Sequence, residues 1–391
     1  MKSLRLTCRS ILALELLATC VNWASGTAGS GRVELIRTPE GGIQPQVQVD
    51  GAGTAHLVYL KGDPAAADIY YVWRKPRSQG FSQPLRVNSR PGSAIAVGTV
   101  RGAHLAIGKG NRVHVAWMGS KSSEPRGPSD ATPMLYTRLN DAGTAFEPER
   151  NVMQFATGLD GGASVAADTV GNVYVAWHAR GAVEGEENRM VWVARSRDEG
   201  RIFAREAGIF DEPTGACGCC GMRAHGDNAG RIYVLYRSAR ERIDRDMYLL
   251  YSQPGGGRFR GIRLHPWKIN ACPMSTASID LGLNSILLAW ETAGQVYFSR
   301  FDPVAESVSD PVAPPGGGGK RRHPAVAANA RGETILVWTE GTGWNRGGTL
   351  AWQVFEREGR PTGQGGEAPG VPVWSLATAF PLPDGNFAVV Y

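Results

Sequence analysis

The sequence predicts an all-β fold, a β-propeller of four-stranded blades with seven repeat units. Two observations carry this expectation. The first is a strand that recurs along the chain and ends in an aromatic residue, with its aromatics 48–60 residues apart from Tyr59 to Tyr391. Self-similarity at such a period marks supersecondary units that bury their faces against one another. The second is glycine, 51 of 391 residues, against a usual share of about 7%. The glycines follow no Gly-X-Y period, so they signal many tight turns and hence many short strands.

Taken in order, the recurring strands are His56–Tyr59, Val113–Trp117, Val173–Trp177, Ile232–Tyr236, Ile286–Trp290, Ile335–Trp338 and Phe387–Tyr391. A strand of small residues precedes each, as in Ser164-Val165-Ala166-Ala167 and Ala325-Val326-Ala327-Ala328, and a Gly/Asn/Asp turn joins the two. After a polar loop comes a third strand, such as Ile69–Trp73, Met190–Ala194 or Met247–Tyr251, and a weaker fourth closes the unit. We name these strands A to D. Small residues suit strand A because the innermost strands of a propeller crowd round its axis. No long window has a helical 3.6-residue period. The last A–B pair lacks strands C and D, and Val33–Ile36 lacks A to C, so the two termini would share one closing blade. Six blades with an appended terminal hairpin is the alternative count.

Lys2, Arg5 and Arg9 precede an apolar stretch from Ile11 to Val21, followed by small residues from Ala24 to Ser30. That order predicts a secretory signal over residues 1–28 and a single propeller domain over 29–391, exported to the periplasm or outside the cell. Thr19 before Cys20 is a poor lipoprotein signal, so no lipid anchor is expected at Cys20. No other stretch approaches the 18 apolar residues of a transmembrane helix. Charge is mixed, with 42 Lys+Arg against 36 Asp+Glu, and the longest basic run is Lys320-Arg321-Arg322. This balance argues against nucleic-acid binding and fits a monomer that attracts a small anionic ligand such as a carbohydrate acid.

The C–D turns carry a further pattern. Ser196-Arg197-Asp198-Glu199-Gly200-Arg201-Ile202-Phe203 has the form Ser-x-Asp-x-Gly-x-x-aromatic; Leu139–Phe146 and Ser252–Phe259 keep parts of it. In this the chain resembles the sialidase-like, Asp-box (BNR-repeat) propellers. The segment Cys217–Cys220 is also similar to secreted bacterial proteins labelled exo-α-sialidase. In such a turn short polar side chains bond the turn amides, glycine takes the positive φ, and the aromatic tucks between sheets.

The resemblance implies an active site on the face formed by the D–A and B–C loops. It implies three arginines gripping a carboxylate, an Asp acid/base, and a Tyr–Glu pair. Arg101, Arg223 and Arg322 begin inner strands and are the expected clamp; Arg37, in Arg37-Thr38-Pro39, is a partial match to the family's Arg-Ile-Pro. Asp63 stands where the family keeps its acid/base, and Glu186 or Glu187 would be the partner carboxylate, although no Tyr is identifiable. The planar guanidinium fork suits bidentate carboxylate binding. Trp344 and Trp374, in loops of the same face, are candidate stacking platforms, whereas Trp117, Trp177, Trp290 and Trp338 occupy the repeated core position.

The segment Cys217-Gly218-Cys219-Cys220-Gly221-Met222-Arg223 is echoed by Cys272-Pro273-Met274. Strand alternation would bring Cys220 and Met222 beside Cys272 and Met274 on adjacent blades. In an oxidising compartment the four cysteines read as disulfides, one tying Cys272 to Cys219 or Cys220. Thiolates and thioethers also select Cu(I), so copper is the one cofactor the cluster suggests. Two functions follow: a sialidase-like propeller that binds, and in one version hydrolyses, an anionic glycan; or a non-catalytic binding or scaffold propeller with a disulfide or copper cluster.

Overall fold

The structure, a computed structural model, describes residues 33–180 and 183–391; the expected export signal lies outside them. Among the described residues seven sheets follow one another along the chain; six are antiparallel and four-stranded in the order A-B-C-D, and the seventh is three-stranded. Blade 1 is Ile43–Val49, Ala55–Asp63, Ala66–Arg74 and Leu85–Arg86; blade 2 runs from His104–Ile107 to Arg150–Asn151. Blade 3 runs from Ala163–Ala167 to Ala207–Gly208, and blade 4 from Arg223–Gly226 to Phe259–His265. Blade 5 runs from Ala277–Leu281 to Ser307–Val308, and blade 6 from Arg321–Ala328 to Pro361–Val371.

The seventh blade settles the count. Thr378–Pro381 pairs with Phe387–Val390, and Val33–Ile36 adds in parallel to the other edge of Phe387–Val390, with Val33 opposite Phe387 and Ile36 opposite Val390. The Thr38 and Tyr391 amides extend this seam to Tyr391 O and Ile36 O at 2.8 and 3.0 Å. A parallel pairing of the first strand with the last removes the open edge that a six-bladed ring with a loose hairpin would leave.

Each blade is glued to the next by its own apolar cluster. Blades 1 and 2 share Val58, Leu105 and Trp117; blades 2 and 3 share Tyr136, Val165 and Trp177. The series continues to blades 6 and 7, which share Val337 and Phe387, and to blades 7 and 1, which share Val390 and Leu57. The repeated tryptophans are therefore packing groups: Trp117, Trp177 and Trp290 are wholly buried. A central channel is lined by strand A residues of all seven blades, among them Gln46, His104, Ser164, Arg223, Asp280, Ala325 and Thr378.

Turn chemistry holds the strands in register. In the A–B turns an Asp or Asn accepts backbone amides three or four residues on, as Asp50, Asp168, Asp227 and Asn329 do. At Ser196–Phe203, Ser196 Oγ accepts the Gly200 amide and Asp198 accepts the Ile202 amide, each at 2.9 Å. Gly200 has φ 79°, and Phe203 packs edge-on against Tyr136 of the preceding blade at 4.8 Å.

Candidate functional site

The D–A and B–C loops form one rim of the ring. Here the backbone enters strand A through strained residues: Gln44, Met274, His323 and Trp374 all have φ between 51° and 56°. A left-handed conformation costs a non-glycine residue about 1–2 kcal/mol, and such strain gathers where side chains must be aimed. Gln44 ties the rim together by donating to Trp374 O at 2.9 Å, and the Gly221 amide donates to Ser275 O.

A shallow cleft opens between blades 5, 6 and 7 on this rim. Its walls include Arg322, Arg346, Trp344, Trp374, Thr342 and Met274. The two indoles meet edge-to-face at 6.3 Å and 70°, forming a corner, and Trp344 is 49% exposed. Neither guanidinium makes an ion pair or side-chain hydrogen bond among the described residues. By contrast Arg101, Arg180, Arg237 and Arg245 on the same rim are bonded to protein groups, so Arg322 and Arg346 leave two charges available to a ligand. The enclosed volume is only about 30 Å³, so a ligand would lie across the corner instead of entering a pocket. No carboxylate lines the cleft.

The other expected clamp residues are placed differently. Arg101 neighbours the cleft: a side chain at Gly98 would stand 2.9 Å from its Nη1 and 3.0 Å from Trp344. Its donors are spent on Asp160 and Val97 O, so it is a fixed wall. Arg223 faces the central channel beside His104, with its Nε bonded to Ala277 O. Burial pushes His104 well down and His323 to about 3, so both imidazoles are neutral. Arg37 lies outside the cleft, bonded to Pro369 O and Gly370 O and stacked 4.1 Å over Tyr391. The three expected arginines thus do not line one pocket.

The expected acids are not in the cleft either. Asp63 ends a tight hairpin, opposite Ala66, where its exposed carboxylate accepts the Ala65 amide. Glu187 is held by both arms of Arg242 at 2.8 and 2.9 Å, which pulls its carboxyl down to about 2. Glu186 bonds Arg245 and the Gly218 amide.

Glu186 leads to a second cluster on the rim, between blades 3, 4 and 5. Cys217 Sγ lies 3.2 Å from Cys220 Sγ and 3.5 Å from Cys219 Sγ, and all four described cysteines are free thiols. The three are buried, with Met274 packed against them, while Cys272 is exposed. The expected strand alternation fails here. Cys217–Cys220 is a turn, closed by the Cys220 amide on Cys217 O, and strand A begins only at Arg223. Met222 therefore points away, into the core between blades 3 and 4 with Ala166 and Tyr174. His178 Nε2, 3.0 Å from Cys220 O, pins the turn. Burial lowers His178 to about 4, so it is neutral and donates that bond.

Sequence reasoning missed Arg346, Arg245 and the role of Arg237. Arg237 and Arg245 are buried beside the thiols, and Trp267 covers Arg237 at 4.9 Å. Arg346 follows Trp344 by two residues in one loop, the spacing that could have flagged it.

No protein-family model and no curated protein matches the chain. Solved structures do. The chain is similar to "Hadza microbial sialidase Hz136" at 14% identity, covering 80% of this chain and 68% of that one, with TM-score 0.51. It is also similar to an arginine-to-alanine variant of AofleA from Arthrobotrys oligospora, at 11% identity, 84% and 87% coverage and TM-score 0.53. The likeness is one of fold. At these identities it extends to the propeller architecture and leaves the residues of the rim to speak for themselves.

Proposed function

We propose that this protein binds an anionic glycan across the Trp344–Trp374 corner and does not hydrolyse it. One observation carries the reading: two guanidinium groups without protein partners, Arg322 and Arg346, flank two indoles on the loop-rich rim. An indole face takes the apolar face of a sugar ring, and a guanidinium takes its carboxylate. The ligand class is thus a glycan bearing uronic or sialic acid. Hydrolysis of such a glycan needs an acid/base carboxyl and a nucleophile, either a second carboxylate or a tyrosine, beside the scissile bond, and the cleft lining has no Asp, Glu or Tyr. A microbial sialidase among the similar folds agrees with a glycan ligand. The basic-apolar-small order of the N-terminus supports export, which would bring the protein to such glycans.

Calorimetric titration with sialyllactose and oligogalacturonate, against lactose and a neutral oligosaccharide, tests the reading. The acidic sugars should bind and the neutral ones should not, and Arg322→Ala or Arg346→Ala should weaken binding at least tenfold. Equal affinity for acidic and neutral sugars, or none for either, would end the proposal.

A further inference from the structure

The thiol cluster has a feature that its packing leaves unexplained. Arg237 Nε and Arg245 Nε and Nη1 are buried with no hydrogen-bond partner. Both residues are buried, at 4% exposure or less. Arg245 spends one nitrogen on Glu186, and Arg237 spends its two terminal nitrogens on Arg245 O, Ser275 Oγ and Glu291 O. Their electrostatic neighbours are the sulfurs: Arg245 faces Cys217 and Cys219, and Arg237 faces Cys220. Arg245 has the Glu186 carboxylate at 2.7 Å, whereas Arg237 makes no ion pair among the described residues, so the two buried guanidinia carry one positive charge more than their carboxylate partner neutralises.

We propose that Cys217, Cys219 and Cys220 hold one Cu(I) ion in a three-coordinate thiolate site, with Arg237 and Arg245 as its counter-charges. Three sulfurs about 2.3 Å from a central metal in one plane stand about 4 Å apart. The three Sγ atoms all lie within 4.8 Å of one another, with the two closest separations at 3.2 and 3.5 Å, so small rotations admit the ion. Binding releases the thiol protons to solvent and leaves copper as Cu(I). Three thiolates and one Cu(I) carry two net negative charges, held beside the two guanidinia, one of which also pairs with Glu186. A disulfide between two of the sulfurs is neutral and leaves the guanidinium donors without acceptors. Cys272 is exposed and stands outside the group of three, and a three-coordinate, thiolate-only set suits Cu(I). Glu186 and His178 act as outer supports, fixing Arg245 and the Cys220 carbonyl. The thioether of Met274 closes the apolar wall.

The test uses the full exported chain, reduced and kept anaerobic, titrated with acetonitrile-stabilised Cu(I) against bicinchoninate. One copper per chain should bind, three thiols should become unreactive to a thiol reagent, and X-ray absorption should show three sulfurs with no nitrogen or oxygen neighbour. Cys220→Ser should lower affinity at least 100-fold, and Cys272→Ser should leave it unchanged. Arg245→Gln retains every ligand and should weaken binding about tenfold, as outer-shell changes do. That variant and the wild-type titration decide the matter even if Cys220→Ser does not fold. No stoichiometric copper uptake, a four-sulfur Zn(II) site lost in Cys272→Ser, or an Arg245→Gln affinity equal to wild type would each overturn the assignment.

Discussion

Asp280 offers a test of the channel that does not depend on any ligand. It lies on strand A of blade 5 and lines the central channel with Arg223, His104 and His323. Its carboxyl is part-buried in the channel wall, and burial pushes it up to about 7 from an ordinary value near 4. Its own neighbour Leu281 donates a backbone bond at 2.9 Å, which softens the effect without cancelling it. The folded state therefore holds a proton that the unfolded chain has already released. Stability from this group is full below about pH 4, falls as pH rises from 4 to 7, and is constant above that. A displacement of about three pH units corresponds to about 4 kcal/mol, and channel water reduces this to about 2–4 kcal/mol. Asp280→Asn keeps the acceptor oxygen and removes the charge. At pH 8 its Tm should exceed that of the wild type by about 3–5 °C, using an unfolding entropy of about 2 cal/mol/K per residue. At pH 4 the two should coincide. Differential scanning calorimetry at pH 4, 6 and 8 reads this directly. A variant that is destabilised equally at all three values would show that Asp280 acts through packing alone, and the argument from burial would be wrong.

Three further outcomes follow from the geometry. Arg223→Ala should leave acidic-glycan binding within about twofold of wild type while Arg322→Ala reduces it at least tenfold, because only Arg322 faces the cleft; titration of both variants separates this from a three-arginine clamp. Gly200→Ala should lower stability by about 1–3 kcal/mol, since the residue has φ 79° and a Cβ there would collide with the Tyr136 hydroxyl; urea unfolding measures it. Purified protein should show no turnover of a fluorogenic sialoside between pH 4 and 8, and Asp63→Asn should bind acidic glycans like the wild type; measurable hydrolysis that disappears in Asp63→Asn would restore a catalytic role to that residue.

The architecture was legible because it rests on local, repeated chemistry. Strands ending in Trp117, Trp177 or Trp290 repeat because every blade must present the same face to its neighbour. The closing blade was legible for a related reason: Val33–Ile36 lacked partners within its own unit. The rim was less so. Arg101, Arg223 and Arg322 look alike as starts of inner strands, but Arg101 turns to Asp160, Arg223 into the central channel and Arg322 to the cleft. Asp160 then captures Arg101, a partner 59 residues away that no spacing rule identifies. The thiol segment misled in a different way. Alternation assumes a strand, whereas Cys217–Cys220 forms a turn closed by the Cys220 amide on Cys217 O, which gathers Cys217, Cys219 and Cys220 and leaves Met222 in the core. The arginines beside those sulfurs come from the B–C segment of blade 4, and only folding brings them there.

The most direct test of the central claim is a crystal structure of the protein with an acidic oligosaccharide such as oligogalacturonate. The account predicts a sugar ring against Trp344, with a carboxylate shared by Arg322 and Arg346. A sugar bound in the central channel at Arg223, or at the hairpin tip of Asp63 with the Trp344–Trp374 corner left bare, would contradict it.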